Sequence, residues 1–457
     1  MGNILIVSNG FPPSAYGGVE IYSFDLVQGL LKKGHTVSVF CRESDFSRPD
    51  FQVTDANENC ARVIRVINDY KKIVSFRETF INEEIDHLFR QYLLILKPDI
   101  IHFNHFSGLS ARLPLIAIDL QIPSITTLHD FWPLCHRVNL IDWQGLSCPG
   151  PQNGIDCFTC VAGGNKRPTI SVKYIGLIKM VKSMTTPSFR ARLRQILFGQ
   201  QRPETQPPAI HLSRELFPER LELHKRAILS SQRVLVPSNF VKAQFSSNGY
   251  PPERITVVPL GVNFTDHHPD PMQKSDVLTF AAVGSILASK GLHILIKAFK
   301  EVPAKEIRLR IFGREDAAPV YTRQLKKMAS GDKRIQFMGP FSPDQRNETF
   351  NQIDILVIPS MVPESFSLVA REALLHRKPV IASRIGALPE VIGDKVNGYL
   401  FTPGQVDELK RIISIIANDP GVLLKLDCPG LKHIDTMEEH ILVMEKLYHK
   451  VTERKQS

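Results

Sequence analysis

The sequence lacks several features that would place it in a particular class of protein. No run approaches the roughly 18 consecutive apolar residues that a membrane-spanning helix requires. The first residues carry no charged segment before the apolar run at 4–7. We therefore expect a first strand there, not a signal peptide, and a cytoplasmic location. No Asp-x-Asp metal motif follows a predicted strand.

Acidic residues are missing from one long stretch of the chain. Between Asp156 and Glu204 there is no Asp or Glu, but nine Lys and Arg residues lie there. The formal net charge is +10, so this stretch accounts for nearly all of the excess. A concentrated basic segment predicts a local anionic partner.

The basic segment, residues 166–202, also contains an amphipathic pattern. Phe189, Leu193 and Leu197 share one face of a predicted helix, and arginines flank that face. This pattern is typical of a helix that lies on an anionic membrane surface, at the inner face of the membrane for a cytoplasmic protein. The alternative is an ordinary core helix with solvated arginines. Nothing resembles a base-reading motif, so we expect no nucleic-acid partner.

Length and patterning predict two domains. The chain has 457 residues, of which 43% are hydrophobic and 22% are charged. This length exceeds what one hydrophobic core usually covers. Short apolar runs alternate with helix-length segments, as in parallel sheets covered by helices. Strands are predicted at residues 3–8, 35–41, 62–67, 99–104, 124–128, 233–236, 255–258, 277–283, 307–313, 335–338, 355–358, 379–382 and 398–401.

These elements define the expected boundaries. The first domain is predicted at residues 1–264, with a Cys-rich, basic insertion at about 131–208. A linker rich in His and Pro follows at 265–275. The second domain is predicted at 276–430, and residues 431–457 form a final amphipathic helix that could cross back onto the first domain.

Two candidate site segments lie in the first domain. Gly17 and Gly18 stand between the first strand and the first helix, where glycines admit a close ligand and free N–H groups favour an anion. The alternative is a tight turn. His129 and Asp130 end a predicted strand, so His129 is placed to touch a substrate and Asp130 to fix its tautomer. The alternative is a histidine hydrogen-bonded locally.

Two further candidate segments lie in the second domain. Lys290 precedes a helix N-terminus, where a cation could meet a phosphate, unless it is an exposed capping lysine. Glu364 and Glu372 are eight residues apart, one in a loop and one in the following helix. That spacing is about 12 Å of helical rise and close to one face, so the pair could grip two hydroxyl groups of an extended ligand. The alternative is two surface glutamates on a solvated helix.

In combination these segments resemble glycosyltransferase family 4, the retaining enzymes with two facing Rossmann-like domains (the GT-B fold). The resemblance covers nearly the whole chain. Its motifs are Phe11-Pro12-Pro13…Gly17-Gly18-Val19-Glu20, Val236-Pro237-Ser238-Asn239-Phe240, Val258-Pro259-Leu260-Gly261-Val262, Val283-Gly284, Lys290-Gly291, Phe312-Gly313, Phe337-Met338-Gly339, Pro359-Ser360, Glu364-x7-Glu372 and Gly386-Ala387-Leu388-Pro389-Glu390.

The resemblance implies roles for these residues. Lys290 would contact the donor diphosphate, Glu372 the ribose hydroxyls and Glu364 the hydroxyls of the transferred sugar. His129 would lie near the sugar, and Gly17 and Gly18 would line the phosphate or acceptor side. The remaining donor contacts would come from the loop and helix start formed by Ser365, Phe366, Ser367 and Leu368. Family members usually transfer sugar without a metal ion.

One position departs from the family pattern. An Arg usually follows the glycine that corresponds to Gly284, but this chain has Ser285. A serine hydroxyl can form a hydrogen bond with a phosphate. Unlike an arginine guanidinium, it carries no charge and cannot form two parallel hydrogen bonds. Either another basic residue compensates, with Arg314 after the Phe312-Gly313 turn as one candidate, or the activity is weak.

Four of the seven cysteines fall within 26 residues, at Cys135, Cys148, Cys157 and Cys160. The spacing C-x12-C-x8-C-x2-C can supply four tetrahedral thiolates, so a structural zinc ion is the favoured interpretation. An iron–sulfur centre, unbound thiols and a redox pair are the alternatives. The Trp132-Pro133-Leu134-Cys135 segment also resembles a cysteine-containing subset of family 4.

The expected function is transfer of a sugar from a nucleoside-diphosphate sugar to a glycan or lipid-linked acceptor, in cell-envelope polysaccharide synthesis. Two other functions remain open from the sequence. One is a non-catalytic partner or regulatory protein with a degraded donor site, which Ser285 would suit. The other is an epimerase or hydrolase on the same fold.

Overall fold

The structure, a computed structural model, describes most of the chain. It covers residues 1–71, 73–144, 147–151, 155–164, 211–264, 277–341, 345–428 and 433–453. The basic segment at 166–202 and the predicted linker at 265–275 lie outside these residues. None of the helices that the structure describes is long and apolar enough to cross a membrane.

The first sheet has the strand order β3-β4-β2-β1-β5-β6-β7-β8 within the described ranges. Its strands are β1 (Asn3–Ser8), β2 (Thr36–Glu43), β3 (Val53–Glu58), β4 (Ala61–Ile67), β5 (Ile100–Phe103), β6 (Ser124–Thr127), β7 (Arg233–Val236) and β8 (Ile255–Val257). Neighbours pair in parallel except β3 and β4, which are antiparallel. The interior of a strand such as β1, residues 4–7, is apolar because helices cover both faces of the sheet.

The helices of this first half connect the strands and cover the sheet. They are α1 (Gly18–Lys32), α2 (Glu83–Leu96), α3 (Leu113–Asp119), α4 (Ile155–Gly164), α5 (Leu216–Ser230) and α6 (Asn239–Ser247). The N-cap of α6 is Ser238, whose Oγ accepts a hydrogen bond from the N–H of Val241 at 3.2 Å. This is the N-cap that the sequence predicts at Ser238.

The second sheet is parallel throughout, in the order β11-β10-β9-β12-β13-β14. Its strands are β9 (Leu278–Val283), β10 (Ile307–Phe312), β11 (Ile335–Gly339), β12 (Ile355–Ile358), β13 (Val380–Ser383) and β14 (Gly398–Phe401). Its helices are α7 (Leu292–Lys300), α8 (Pro319–Ala329), α9 (Arg346–Asn351), α10 (Leu368–Leu375), α11 (Leu388–Val391) and α12 (Val406–Asn418). The expected fold class, two parallel-sheet α/β domains, is confirmed.

The last helix, α13 (Met437–Glu453), packs on the first domain against α1. Two buried hydrogen bonds fix it there: Tyr22 Oη lies 2.8 Å from His440 Nε2, and Tyr448 Oη lies 2.8 Å from His102 Nδ1. Apolar side chains of α13 also join the core of the first sheet. The expected return of the final helix to the first domain is confirmed.

Strand β3 is absent from the predicted elements. Its sequence, Val-Thr-Asp-Ala-Asn-Glu, carries no apolar run, and its residues are only partly buried. It lies at the edge of the sheet, where one side of the strand faces solvent and polar residues are tolerated. Apolar patterning therefore cannot reveal it.

We expect the folded protein to lose stability as the pH falls below about 6.5. Burial lowers the pKa of His129 to about 3 and that of His440 to about 4. In an unfolded chain these histidines bind protons near pH 6.5, whereas in the folded chain they stay neutral. Stability present above pH 6.5 is therefore lost as the pH falls towards 4, by roughly 1.4 kcal/mol per pH unit for each histidine.

Urea unfolding at several pH values between 7 and 4.5 measures this loss. The variant His440→Gln keeps a polar side chain but removes one titrating group, so its pH slope should be shallower than that of the parent. An unchanged slope would contradict this assignment of acid sensitivity to the buried histidines.

Candidate functional site

A pocket opens at the carboxyl edge of the second sheet, where the loops after β9 and β12 meet. Its empty volume is about 390 Å³. Three residues predicted from the sequence line it: Ser285, Lys290 and Glu364. The rest of the lining is Ala282, Val283, Gly284, Leu292, Ile311, Phe312, Val357, Ile358, Pro359, Ser360 and Val369. The carboxyl edge of a parallel sheet is where open α/β folds bind ligands.

A charged cluster forms one wall of this pocket. Lys290 Nζ lies 2.8 Å from Glu364 Oε1, and the Ser360 hydroxyl donates to the same oxygen at 2.5 Å. The Lys290 side chain is 38% exposed and that of Glu364 is 13% exposed. Burial raises the pKa of Glu364, but the charge and hydrogen bond of Lys290 and the Ser360 hydroxyl outweigh it and hold the pKa below its ordinary value. Glu364 is therefore an ionised acceptor that faces a cation.

Two glycines allow the backbone to close around this cluster. Gly291 has φ 69°, and a Cβ there would lie 1.9 Å from the Pro359 carbonyl oxygen. Gly386 has φ 62°, and a Cβ there would lie 2.4 Å from the Glu364 carbonyl oxygen. Any larger residue would collide with backbone at both positions. These glycines therefore allow the loops around Lys290 and Glu364 to pack closely against their neighbours.

Glu372 lies on α10, outside the lining of this pocket, and faces a different cation. Arg346 Nε on α9 is 3.3 Å from Glu372 Oε1, and both side chains are about nine-tenths buried. Burial raises the pKa of Glu372, the Arg346 charge opposes that rise, and nearby Asp25 adds to it. Glu372 is thus a buried carboxylate whose charge depends on Arg346.

The Arg346 pair extends to the first domain. Arg346 Nη1 donates to the Asn263 carbonyl oxygen at 3.3 Å, and Asn263 Nδ2 donates to Asp25 Oδ1 on α1 at 3.2 Å. Glu372 is therefore connected through two residues to a helix of the other domain. Sequence reasoning missed Arg346, because it belongs to no recognisable motif.

The loop between Glu364 and α10 contacts the first domain as well. Ser238 Oγ donates to the Ser365 carbonyl oxygen at 2.7 Å, and Phe366 and Leu368 pack with the core of the first sheet. Ser367 holds φ 61° and ψ 81°, a left-handed conformation that a serine adopts at a cost. The structure thus places this loop between the two domains.

A second contact joins the domains at the start of α6. Both Glu390 carboxylate oxygens accept backbone N–H groups of that helix, from Phe240 at 2.6 Å and from Asn239 at 3.1 Å. A carboxylate at a helix N-terminus is favourable because the free N–H groups point at it. Both glutamate and helix lie in motifs noted in the sequence, but their pairing follows only from the tertiary structure.

In the first domain, the prediction that Asp130 fixes the tautomer of His129 is wrong. Asp130 Oδ2 bonds His105 Nε2 at 3.0 Å, and Asp130 Oδ1 accepts the Trp132 N–H at 2.8 Å. The His129 ring instead packs on Tyr22, with 4.9 Å between ring centroids. Its Nε2 is buried and has no hydrogen-bond partner among the residues that the structure describes.

Gly17 and Gly18 begin α1 with different surroundings. The Glu20 carboxylate covers Gly17, since a Cβ there would lie 2.2 Å from Glu20 Oε2. A Cβ on Gly18 would meet no described atom within 4 Å. Gly18 therefore borders open space, whereas Gly17 is held against an acidic side chain.

The expected compensation of Ser285 by Arg314 requires correction. Arg314 is absent from the pocket lining, and its guanidinium pairs with Asp316 through bonds of 3.1 and 2.8 Å. That pair is exposed, with 54% of the Arg314 side chain accessible. The short sequence separation of the two residues favours this local pair over a reach into the pocket.

The comparisons with known proteins agree with this architecture. Two family models match the chain: Glycosyl transferases group 1 over residues 263–427 and Glycosyltransferase Family 4 over residues 16–157. The two-domain fold with its carboxyl-edge pocket is that of the GT-B glycosyltransferases. The two models match different parts of the chain, and each covers less than half of it.

Curated relatives resemble only part of the chain. The lipopolysaccharide 1,2-N-acetylglucosaminetransferase of Salmonella typhimurium is 29% identical over 36% of this chain and 48% of its own length. The D-inositol 3-phosphate glycosyltransferase of Corynebacterium glutamicum is 29% identical over 34% of this chain and 39% of its own. The chain thus spans half or less of the length of these relatives.

Solved structures show the likeness of fold over the whole chain. Sucrose-phosphate synthase from Thermosynechococcus elongatus has a TM-score of 0.64 at 20% identity, covering 98% of this chain and 99% of its own. Anabaena HepE in complex with UDP and glucose has a TM-score of 0.57 at 14% identity, covering 100% and 98%.

Proposed function

We propose that the protein is a retaining glycosyltransferase that moves a sugar from a nucleoside-diphosphate donor to a glycan or lipid-linked acceptor. The observation that carries this proposal is the Lys290–Glu364–Ser360 cluster in a pocket at the carboxyl edge of the second sheet. A fixed cation beside an ionised acceptor suits a ligand with a diphosphate at one end and sugar hydroxyls at the other.

The charge changes of the reaction fit these residues. As the sugar leaves, positive charge develops on its ring and negative charge on the departing diphosphate. Lys290 would stabilise the diphosphate, with backbone N–H groups near Phe366, Ser367 and Leu368, and this stabilisation grows in the transition state. Glu364 would hold sugar hydroxyls as an ionised acceptor. We further propose that transfer needs no metal ion, since Lys290 supplies the positive charge.

The first domain would bind the acceptor and close over the sugar. His129 stays neutral because burial lowers its pKa to about 3, and its Nε2 has no partner among the described residues. A buried polar atom of this kind normally has a hydrogen-bond partner. A hydroxyl of the bound sugar would supply one, and Gly18 would border the open side of the same cleft.

Two features favour a lipid-linked acceptor. One relative is named for a lipopolysaccharide substrate, which is consistent with a role in cell-envelope polysaccharide synthesis. The basic segment at 166–202 would attach the protein to the anionic inner surface of a membrane that holds a lipid-linked acceptor. Co-sedimentation with anionic vesicles but not with neutral ones is the expected result, and equal sedimentation would contradict it.

A panel of nucleotide sugars tests the donor class. We expect one of them to raise the unfolding temperature and to release nucleoside diphosphate when an acceptor is present. The anomeric configuration of the product, read by NMR, decides retention. Thermal stabilisation without turnover would favour a non-catalytic partner protein, and a changed donor sugar would favour an epimerase. Absence of stabilisation by every nucleotide sugar would contradict the proposal.

A further inference from the structure

Hydrogen bonds hold all four carbonyl oxygens of the segment at 364–367, which leads from the pocket into α10. Within the second domain, the Ala387 N–H donates to the carbonyl oxygen of Glu364 at 2.8 Å. The Arg371 guanidinium donates to the last two carbonyl oxygens of the segment. Three of the four carbonyls are therefore held by groups of their own domain.

The remaining carbonyl, that of Ser365, is held from the first domain. Ser238 Oγ donates to this oxygen at 2.7 Å, and the same Oγ accepts the Val241 N–H at 3.2 Å. Ser238 is 2% exposed. A hydroxyl has a single O–H to donate, so the one hydrogen of this buried group is committed to the opposite domain.

The directions of these carbonyls determine the directions of the N–H groups that follow them. In a planar trans peptide the C=O and N–H bonds point in opposite directions. Each held carbonyl therefore turns the next N–H group, from residue 365 to residue 368, away from the group that holds it. Those four N–H groups have no hydrogen-bond partner among the residues that the structure describes. Free N–H groups at the start of a helix favour an anion.

The free N–H groups lie beside the proposed place of the donor diphosphate. Glu364 and Val369, which flank them in sequence, both line the pocket that contains Lys290. Between them, Ser367 adopts φ 61° and ψ 81°, which is unfavourable for a residue with a side chain. Such a conformation persists where the surroundings hold it from several sides, as the bonds to the carbonyls do here.

A second contact between the domains keeps Ser238 next to this segment. The Glu390 carboxylate accepts the N–H groups of Asn239 and Phe240, the two residues that follow Ser238, at 3.1 and 2.6 Å. The Glu390 N–H in turn bonds the carbonyl oxygen of Ala387 at 3.1 Å. The start of α6 and the segment at 364–367 are therefore attached to the same turn of the second domain.

We propose that Ser238 is a positioning residue for the donor diphosphate. By holding the Ser365 carbonyl oxygen, it directs the N–H group of Phe366 towards the phosphates, although Ser238 does not touch the donor itself. This inference rests on the proposed function, since it assumes that a diphosphate binds beside Lys290. Contact between the two domains is then a part of phosphate binding, because separation of the domains removes the hydrogen bond that orients this peptide.

A comparison of two affinities tests this role in the full chain. ADP, GDP, UDP and dTDP are titrated into the parent, and the tightest of them is compared with its own nucleoside. In Ser238→Ala the affinity for the diphosphate should fall roughly tenfold, while that for the nucleoside, which carries no phosphate, should change by less than about twofold. A general loosening of the fold would weaken the binding of both ligands together.

Two further substitutions separate the bond to Ser365 from the cap on α6. Ser238→Asp keeps an N-cap acceptor, but an ionised carboxylate cannot donate to a carbonyl oxygen. It should therefore lose affinity for the diphosphate as Ser238→Ala does, while keeping the cap. Ser238→Thr keeps both the donor and the acceptor and should bind the diphosphate like the parent. Ser247→Ala, at the exposed end of α6, is the matched control.

The results that would overturn the positioning role are specific. One is a diphosphate affinity equal to that of the parent in Ser238→Ala or Ser238→Asp. The other is an equal loss for the diphosphate and the nucleoside in Ser238→Asp. Failure of the proposed function would look different, since the parent itself would then bind none of the four diphosphates, and the inference would fall with it.

Discussion

Lys290→Ala is expected to lower kcat by roughly 10²–10³-fold, as the loss of one group that stabilises transition-state charge usually does. The structure gives Lys290 Nζ a fixed place 2.8 Å from Glu364 Oε1 at the edge of the pocket. In the sequence the expected second cation of the donor site is replaced by Ser285. Lys290 would therefore supply most of the positive charge that the departing diphosphate meets.

Initial rates with the best donor of the panel measure this effect. Lys297→Ala is the matched control, because Lys297 lies on the exposed side of α7. Lys290→Ala also leaves the Glu364 carboxylate with one hydrogen-bond donor fewer, so Lys290→Ala/Glu364→Gln separates charge loss from the cost of an unpaired carboxylate. Full activity of both Lys290 variants would refute the assignment of the site.

Glu372→Ala is expected to weaken nucleotide binding by roughly 10–100-fold, the range for a lost hydrogen bond to a charged group. The Glu372 carboxylate is buried, and Arg346 at 3.3 Å opposes the rise in its pKa. Nucleoside diphosphate affinity, measured by calorimetry on the folded variant, should fall accordingly. Glu348→Ala on the exposed side of α9 is the matched control.

Arg346→Met should reveal the same dependence through pH. Without the Arg346 charge, the pKa of Glu372 rises further, so the carboxylate gains a proton at a higher pH than in the parent. Nucleotide affinity of the variant should therefore decline as the pH is lowered, over a range where the parent affinity stays constant. Parallel pH profiles would show that Arg346 does not control Glu372.

Local pattern was sufficient for most of the architecture. Apolar strands such as β7 and β12 fall at the predicted residues, because a strand buried on both faces must be apolar whatever surrounds it. The edge strand β3 escaped prediction because only one side of it is covered. The residues around Lys290 and Glu364 were found because each stands at a strand-to-helix turn with a recognisable neighbour.

The contacts that decide protonation could not be predicted in the same way. Asp130 follows His129 directly, yet the structure gives it His105, because the His129 ring turns towards Tyr22. Arg346 reaches Glu372 from a helix that carries no motif. A side chain can bond residues that are distant in sequence as well as its neighbours. The packing of the fold decides which of them it contacts.

The sequence by itself determined the two parallel sheets, the E-x7-E segment, the departure at Ser285 and the spacing of the four cysteines. These features follow from residue type and local periodicity. The tertiary structure alone decided that Lys290 meets Glu364 and that α13 is held on α1 through Tyr22 and His440. Such contacts join residues 74 and 418 positions apart, and only the packing of whole elements brings them within hydrogen-bond distance.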